Sequence, residues 1–397
     1  MGKMKWYTSR LASMSVAELT HRFAERRKVE FEKRWPHSSP VQTTTWSADS
    51  PLRDYVLGLC DYPKSTNYRR EAAKALTEKR LTLLGQPWPP FASFPEWQVD
   101  PVTGNSWPDS FSFSIDFRHA TAGCYGDVKY VWELNRLQFL LPVAAHAYST
   151  GDGGLGLLCD SYVRDWIDRN PIGRGVQWAS SIEVALRAVT VIALRELTRE
   201  LHVDVELDRT ITRLLRDSLY WIHRFPSLYS SANNHRIAEL AATLVIGSRF
   251  PDLTSPARTA SSLRELRKEV LQQIHEDGIG AEQSTTYAAS VVEWVDIVSS
   301  VMADSDMEVA SDVAERITCA AQALRSFVDC GCHHVRIGDD DEGRVLSSVV
   351  PQEFYIDAIT RKVVGPKWRE RFGLTVYAAG GYTVARHSDA GIEILLV

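Results

Sequence analysis

Several classes of protein are excluded by what this chain has little of. It carries only 6 cysteines in 397 residues. Cys60, Cys124, Cys159, Cys319, Cys330 and Cys332 are too scattered for a disulfide framework and read as reduced thiols. No run approaches the ~20 consecutive apolar residues of a membrane span. The opening MGKMKWYTSRLASMSVAELTHRF also lacks the apolar core of a secretory leader, which predicts a cytoplasmic protein, or a periplasmic one if the N-terminus was trimmed. Basic residues are not in excess: 45 Lys and Arg against 50 Asp and Glu leave a formal charge of -5. Nucleic acid is therefore not expected as a partner, and an anionic ligand would need local arginines. No strict repeat is present, which disfavours a regular solenoid, and nothing in the sequence speaks to oligomeric state.

What is present is an ordinary globular composition, 44% hydrophobic and 24% charged, long enough for one large domain or a large one with a smaller companion. Apolar residues recur at helical spacing near 16–35, 68–84, 128–148, 157–169, 180–201, 208–225, 234–247, 261–275, 283–302 and 308–328. Such a succession of antiparallel helices predicts a mainly α domain over 1–329, a bundle, a helical solenoid or an α/α toroid. From 330 the pattern changes. HHVRIGDDDEGRVLSSVV and LTVYAAGGYTVARHSDAGIEILLV read as antiparallel strands, with Ser388, Asp389, Ala390 and Gly391 reversing the chain. IEILLV runs to the last residue, so the β-domain over 330–397 is expected to be incomplete. Between Gly85 and Asp127 lies an aromatic, Pro-rich loop far longer than the usual limit of about 15 residues. Its rings could stack on sugars, but pinning the loop to a core is the favoured role.

The richest polar stretch is SANNHRIAEL, 231–240. Ile237, Leu240, Ala241, Leu244 and Val245 form an apolar stripe, with His235 and Glu239 off it. Asn233 can cap the helix. Asn234 and His235 are then left where the dipole is positive and N–H groups lack partners, a place suited to an anion, particularly a carboxylate. Taken alone, the segment favours a plainer reading, with Asn234 part of the cap and His235 an ordinary hydrogen-bonding residue. Downstream, HEDGIGAEQSTTYAASVVEWV makes a tight loop at Asp277, Gly278 and Gly280. Glu282, Gln283 and Ser284 then open a helix whose first turn holds Tyr287, on one face with Val291, Trp294, Val295 and Val298. Tyr287 is either a core tyrosine or an acid/base phenol.

Together the two helix mouths resemble those of the heparinase II/III-like polysaccharide lyases. There an Asn-Asn-His run and an Asp-Gly-x-x-x-Glu-Gln-Ser-x-x-Tyr run open neighbouring inner helices of an α/α toroid. Both stand intact here, at 233–235 and 277–287. RLASMSVAELTHR, DVKYVWELNRLQFL and NPIGRGVQWASSIEVALRAV are similar to the family's upstream helical region. The resemblance implies β-elimination in an acidic, uronate-containing polysaccharide, with no metal or cofactor. Asn234 and His235 would neutralise the uronate carboxylate as charge develops on it. Tyr287 would protonate the leaving O4 and, in syn geometry, also take the C5 proton. A phenol of ordinary pKa, ~10, would need a cation such as Arg236 to lower it. Asn233, Arg236, Glu239, Glu282 and Gln283 are assigned to substrate binding. Family members continue into a β-sandwich that supplies a second histidine, often in a His-x-His-x-Asp run; this chain stops at Val397 before one, and His387 does not match it.

Other constellations carry less. CGCHH at 330–334 has zinc-type ligands, but neighbouring ones alternate faces in a strand and no second pair is near. GDDDEGR at 338–344 lacks the ligand spacing of a calcium loop and reads as a solvated turn. In GRGVQWASSIEVALR, Glu183 and Arg187 stand at i,i+4, which suits an intrahelical ion pair. In a toroid, however, Trp178 could stack on a sugar and Arg174 or Arg187 could meet a carboxylate. Arg118, Asp127 and Trp132 are weaker candidates of that kind. Two rivals remain: a glycoside hydrolase using Glu239 and Glu282 as paired carboxylates, and a non-catalytic glycan-binding or assembly protein of an exopolysaccharide pathway.

Overall fold

The computed structural model describes residues 14–37, 44–118, 122–303, 305, 307–340, 343–365, 372–389 and 392–396. In chain order its helices are α1 (Val16–Arg34), α2 (Pro51–Cys60), α3 (Ser65–Thr77), α4 (Ala122–Tyr125), α5 (Val128–Asn135), α6 (Leu141–Thr150), α7 (Gly153–Arg169), α8 (Ser181–Thr198), α9 (Val205–Arg224), α10 (Asn233–Arg249), α11 (Pro256–Gln273), α12 (Thr285–Val301), α13 (Ser311–Arg325) and α14 (Tyr355–Val364). Its strands are β1 (Thr82–Leu83), β2 (Gln86–Pro87), β3 (Gly373–Tyr377), β4 (Tyr382–Asp389) and β5 (Ile392–Leu396). Among the described residues no helix is long and apolar enough to cross a membrane.

Burial sorts the helices into two rings. α8 is buried at every position from Glu183 to Thr198, and α10 from Ile237 to Gly247. A helix covered all round must be an inner one. α9 instead buries one face, through Leu207, Ile211, Leu214, Leu215, Leu219 and Ile222, and α11 a thin stripe of Thr259, Ser262, Leu266 and Val270. Each inner helix packs on the next, α6 on α8, α8 on α10, α10 on α12 and α12 on α14, while α7, α9, α11 and α13 cover them outside. The result is an α/α toroid in which the inner helices run the same way.

α2 packs against α6, α8, α12 and α14. It is held at the C-terminal ends of the inner helices by Glu196, a buried carboxylate of α8. Glu196 accepts from Leu52 N and Arg53 N at 2.9 and 3.0 Å and from Arg249 Nε at 2.7 Å. The other end of α2 reaches the first turn of α14, where the Tyr62 hydroxyl donates to Asp357 at 2.7 Å.

Several elements differ from the sequence reading. The helix expected over 128–148 is two, broken where Leu137 takes a positive φ of 62°. The strands expected around 333–350 do not pair into a sheet. That segment forms turns, because its N–H groups at 345–347 are taken by the Glu293 carboxylate of α12. α14 then packs on α12 and α13, so the helical layer extends to Val364 rather than ending at 329. The antiparallel sheet begins at β3, in the order β3-β4-β5, with Tyr377 opposite Tyr382 and Asp389 opposite Ile392. Ser388 and Asp389 belong to β4; Ala390 and Gly391 of the expected turn lie outside the described residues. Tyr377 and Val384 seat this sheet on Ile279 and Phe327 of the helical part.

The aromatic loop takes the packing role. Trp88, Trp97 and Trp107 are buried, and Phe113 stacks on Trp221 at 5.6 Å.

Candidate active site

Both motifs lie where the inner helices α10 and α12 begin. α10 starts after a single 3-10 turn, and its capping position is Ala232, which offers no side-chain bond. Asn233 therefore does not cap the helix as its residue type suggested; it is exposed with φ at 29°. The cap comes from the other motif. Glu282 Oε1 accepts the Asn234 N–H at 2.7 Å, so a carboxylate from the turn before α12 sits on the dipole-positive mouth of α10. α12 is capped by Ser284, whose Oγ accepts the Tyr287 N–H at 3.1 Å and donates to the Asp339 carbonyl at 2.7 Å. Gln283 is exposed at a positive φ of 55°, its N–H on the Gly280 carbonyl. The two mouths are thus bonded side by side, with Tyr287 half-buried in the first turn of α12.

Backbone geometry demands the glycine in the intervening loop. Gly278 has φ at 89°, and a Cβ there would lie 2.4 Å from the Cys319 carbonyl oxygen. Next to it, Asp277 accepts the Gly380 N–H at 2.9 Å. This tethers the sheet to the same loop.

Asn234 is 8% exposed, and its Oδ1 has no hydrogen-bond partner. Buried polar atoms are normally paired. His235 is half-buried; burial pushes its imidazole below the usual value, Glu183 opposes this, and Arg118 and Arg136 push further down. Burial and the two arginines thus favour its neutral form. Beside it lies an ion network: Arg136 donates to Glu183 through Nε at 2.7 Å and Nη2 at 2.9 Å, and to Glu133 through Nη1 at 2.7 Å. Sequence reasoning did not single out Arg136 or Glu133. Their signal was the WELNR run inside a segment already similar to the family.

Other expected substrate contacts are committed elsewhere. Trp178 is 1% exposed, edge-on to Trp221, so it is no sugar platform. Arg187 is fully buried between Trp166 and Trp178, with its guanidinium 4.3 and 5.0 Å from the ring centres. Burial pushes it down to about 9, and it donates to the carbonyls of Asn135 and Gln177. Neither ring stacking nor carboxylate binding is open to that pair. Glu183 pairs with Arg136 rather than with Arg187 at i,i+4. Arg174 is exposed and tied to Asp109 of the aromatic loop. Arg236 bonds Glu239 at 3.2 Å and also Glu265, so its charge is already shared by two carboxylates and is a poor means of lowering the Tyr287 phenol. Glu239 has no exposed surface. Both its oxygens accept the Ser227 N–H at 3.0 Å, and burial pushes its carboxyl up to about 7. A hydrolase pair of Glu239 and Glu282 flanking one sugar bond is therefore not formed.

Of the weaker candidates Asp127 and Trp132 are structural, whereas Arg118 stays exposed and acts on the His235 imidazole. Asp127 caps α5 through the Lys129 N–H at 2.9 Å, and Trp132 Nε1 donates to the Val176 carbonyl at 2.9 Å. Arg118 is exposed, with its guanidinium over Phe117. Around 330–334 the side chains diverge: Cys332 Sγ meets Arg361, His333 lies against Phe354 and His334 against Tyr355. The segment read as a solvated acidic turn lies over the start of α12, where Asp340 accepts from Thr286 Oγ1 at 2.7 Å; Asp341 lies outside the described residues.

Residues 65–327 match the family described as Heparinase II/III N-terminus, well over half of the chain, and the chain belongs to this family. Its fold is similar to that of a mutant of the heparan sulfate lyase HepC from Pedobacter heparinus, at 16% identity and a TM-score of 0.50, covering 87% of this chain and 54% of that one. The unmutated HepC from the same organism matches at 16% identity, with 84% and 53% covered and a TM-score of 0.49. A heparinase III matches at 16% identity, with 87% and 60% covered and a TM-score of 0.43. The chain thus spans about half the length of the HepC structures. No curated protein matches it.

Proposed function

We propose that this protein is a polysaccharide lyase that cleaves an acidic, uronate-containing polysaccharide by β-elimination. The observation that carries the reading is the buried amide of Asn234 with an unpartnered oxygen, at the point where Glu282 binds the two helix mouths together. An unpaired buried polar atom costs ~1–3 kcal/mol, and a ligand removes that cost. Half a turn of the amide exchanges its acceptor for its donor, which suits a uronate carboxylate. A neutral His235 supplies a second donor to the same carboxylate. As the C5 proton leaves, negative charge spreads into this group, and donors aimed there stabilise the transition state more than the bound substrate.

Tyr287 is the acid/base candidate, one turn into the adjoining helix. Tyr287, as the phenolate, takes the C5 proton; the C5–H electron pair forms the C4–C5 double bond as the C4–O4 bond breaks, and the departing O4 takes that proton from the phenol, which returns to the phenolate. Cleavage should raise ultraviolet absorbance, because the product is an unsaturated uronate. The test is to incubate the protein with uronate polymers and follow that absorbance. Tyr287→Phe should lower the rate by about 10²–10⁴-fold, the usual contribution of a positioned proton donor, with oligosaccharide affinity kept. Cleavage without absorbance would refute elimination, and binding with no turnover in the unmodified protein would make it a glycan-binding protein instead.

A further inference from the structure

α1 carries its side chains inside out. The face turned to the protein is polar. Glu32, 1% exposed, accepts from the Tyr220 hydroxyl at 2.6 Å and from the His37 N–H at 2.9 Å. Arg22 and Lys28 donate to the Ser230 hydroxyl and the Arg224 carbonyl at 3.1 and 3.3 Å. The face turned to water is apolar: Val16 is 80% exposed, Phe23 66% and Phe31 52%, and Trp35, just past the helix end, is 57% exposed. At the helical repeat Val16, Leu19, Phe23 and Phe31 share one side of α1, and the ring centres of Phe31 and Trp35 are 5.1 Å apart. Large apolar side chains gathered in this way mark an interaction surface, whereas single ones scattered over an exterior do not.

The charge on that side is nearly all of one sign. Arg26, Arg27, Lys33 and Arg34 are exposed, and Glu30 is the single exposed acid among the described residues of the helix. This basic face belongs to a chain whose formal charge is -5. In sequence, residues 1–13 add Lys3, Lys5 and Arg10, Trp6 and Tyr7, and no acidic residue.

The mixture of rings and cations narrows the occupant. A second copy seated about a two-fold axis sets the basic side chains against their own equivalents. A soluble acidic glycan neutralises them but leaves Val16 and Phe23 in water. An anionic lipid surface meets both demands. Aromatic and aliphatic side chains enter the boundary between headgroups and acyl chains, while arginine and lysine stems reach along it to the lipid phosphates. No described helix is long and apolar enough to cross a bilayer, so the attachment made by α1 is peripheral.

We propose that α1 holds the protein on an anionic lipid bilayer, with Phe23, Phe31 and Trp35 entering the interface and Arg26, Arg27, Lys33 and Arg34 meeting the headgroups. This goes beyond the lyase reading and does not depend on it. The test is co-sedimentation of the full chain with vesicles of phosphatidylcholine alone and of an equal mixture of phosphatidylcholine and phosphatidylglycerol. Binding to the mixed vesicles should be tighter by about tenfold or more and should weaken as salt is raised. Arg26→Gln combined with Arg27→Gln should weaken it by about tenfold, the loss expected when two cations leave an anionic surface. Phe23→Ser combined with Trp35→Ser should weaken binding to both kinds of vesicle. All four side chains face water, so Tm should be kept; should the aromatic pair disturb α1, the arginine pair still decides. Equal binding to the two kinds of vesicle, or binding that neither pair of changes alters, overturns the inference. So does absence of vesicle binding, whether sedimentation velocity then shows a dimer that Phe23→Ser dissolves, or heparin oligosaccharides bind in a way that only the arginine pair abolishes.

Discussion

Glu293 has no exposed surface in the middle of α12, yet it holds the segment that passes from the α12 mouth to α14. Its carboxylate takes the N–H groups of Val345, Leu346 and Ser347 at 2.9, 2.8 and 2.7 Å, and the Ser347 hydroxyl at 2.9 Å. Glu293→Ala strands those donors in a dry interior. At ~1–3 kcal/mol for each unsatisfied donor, the loss is ~4 kcal/mol even at the low end. Against this, burial pushes the Glu293 carboxyl above its usual value; holding a charge there already costs the native state something, and alanine recovers that part. The balance is about 3 kcal/mol, a large fraction of a typical domain's ~5–15 kcal/mol. Glu293→Gln keeps one acceptor but turns an NH2 toward the N–H groups, and should lose about 2 kcal/mol. Urea unfolding followed by tryptophan fluorescence measures the loss, and hydrogen exchange on the peptide 343–350 locates it. A loss below about 1 kcal/mol with the 345–347 amides still protected would show that something else holds this segment.

Trp178→Ala should destabilise by about 3–5 kcal/mol as a large-to-small core change, lowering Tm while the folded fraction binds glycan unchanged. Lost glycan binding at an intact Tm would restore the sugar-platform role. His223 gives a pH test. Burial first, then Arg258 and Arg236, push its imidazole down to about 4 from an ordinary 6.5. Its native-state value lies below the unfolded one, so the unfolded chain takes the proton first. Stability is therefore lost as pH falls from 6.5 to about 4, by at most about 3 kcal/mol from this group. His223→Gln should flatten urea midpoints across that window, and an unchanged slope would refute the assignment.

Most of the helices could be read from periodicity, because a helix records in its own sequence which faces are covered; that they close into a toroid rather than a bundle or solenoid was implied only by the family resemblance. The apolar circumference of α8 and the one-sided stripe of α9 are local facts. α2 was legible in the same way, through Leu52, Tyr55, Val56 and Leu59, but its shortness hid it. α14 was lost behind a strand-like run, since Val345, Leu346, Val349 and Val350 are buried without being paired in a sheet; only the Glu293 carboxylate across the core explains how their backbone is satisfied.

By itself, then, the sequence determined the succession of helices, the placement of Asn234, His235 and Tyr287 at helix mouths, and the glycine-dependent loop before α12, all consequences of neighbouring residues and backbone geometry. Tertiary structure alone decided what each polar side chain meets. It seated Glu282 on the α10 mouth where Asn233 was expected, buried Trp178, Arg187 and Glu239 that residue type had sent to a cleft, and brought Arg136 beside His235. The physical reason is that a charged group's role depends on its partner and its access to water, and both are supplied by segments tens to hundreds of residues away.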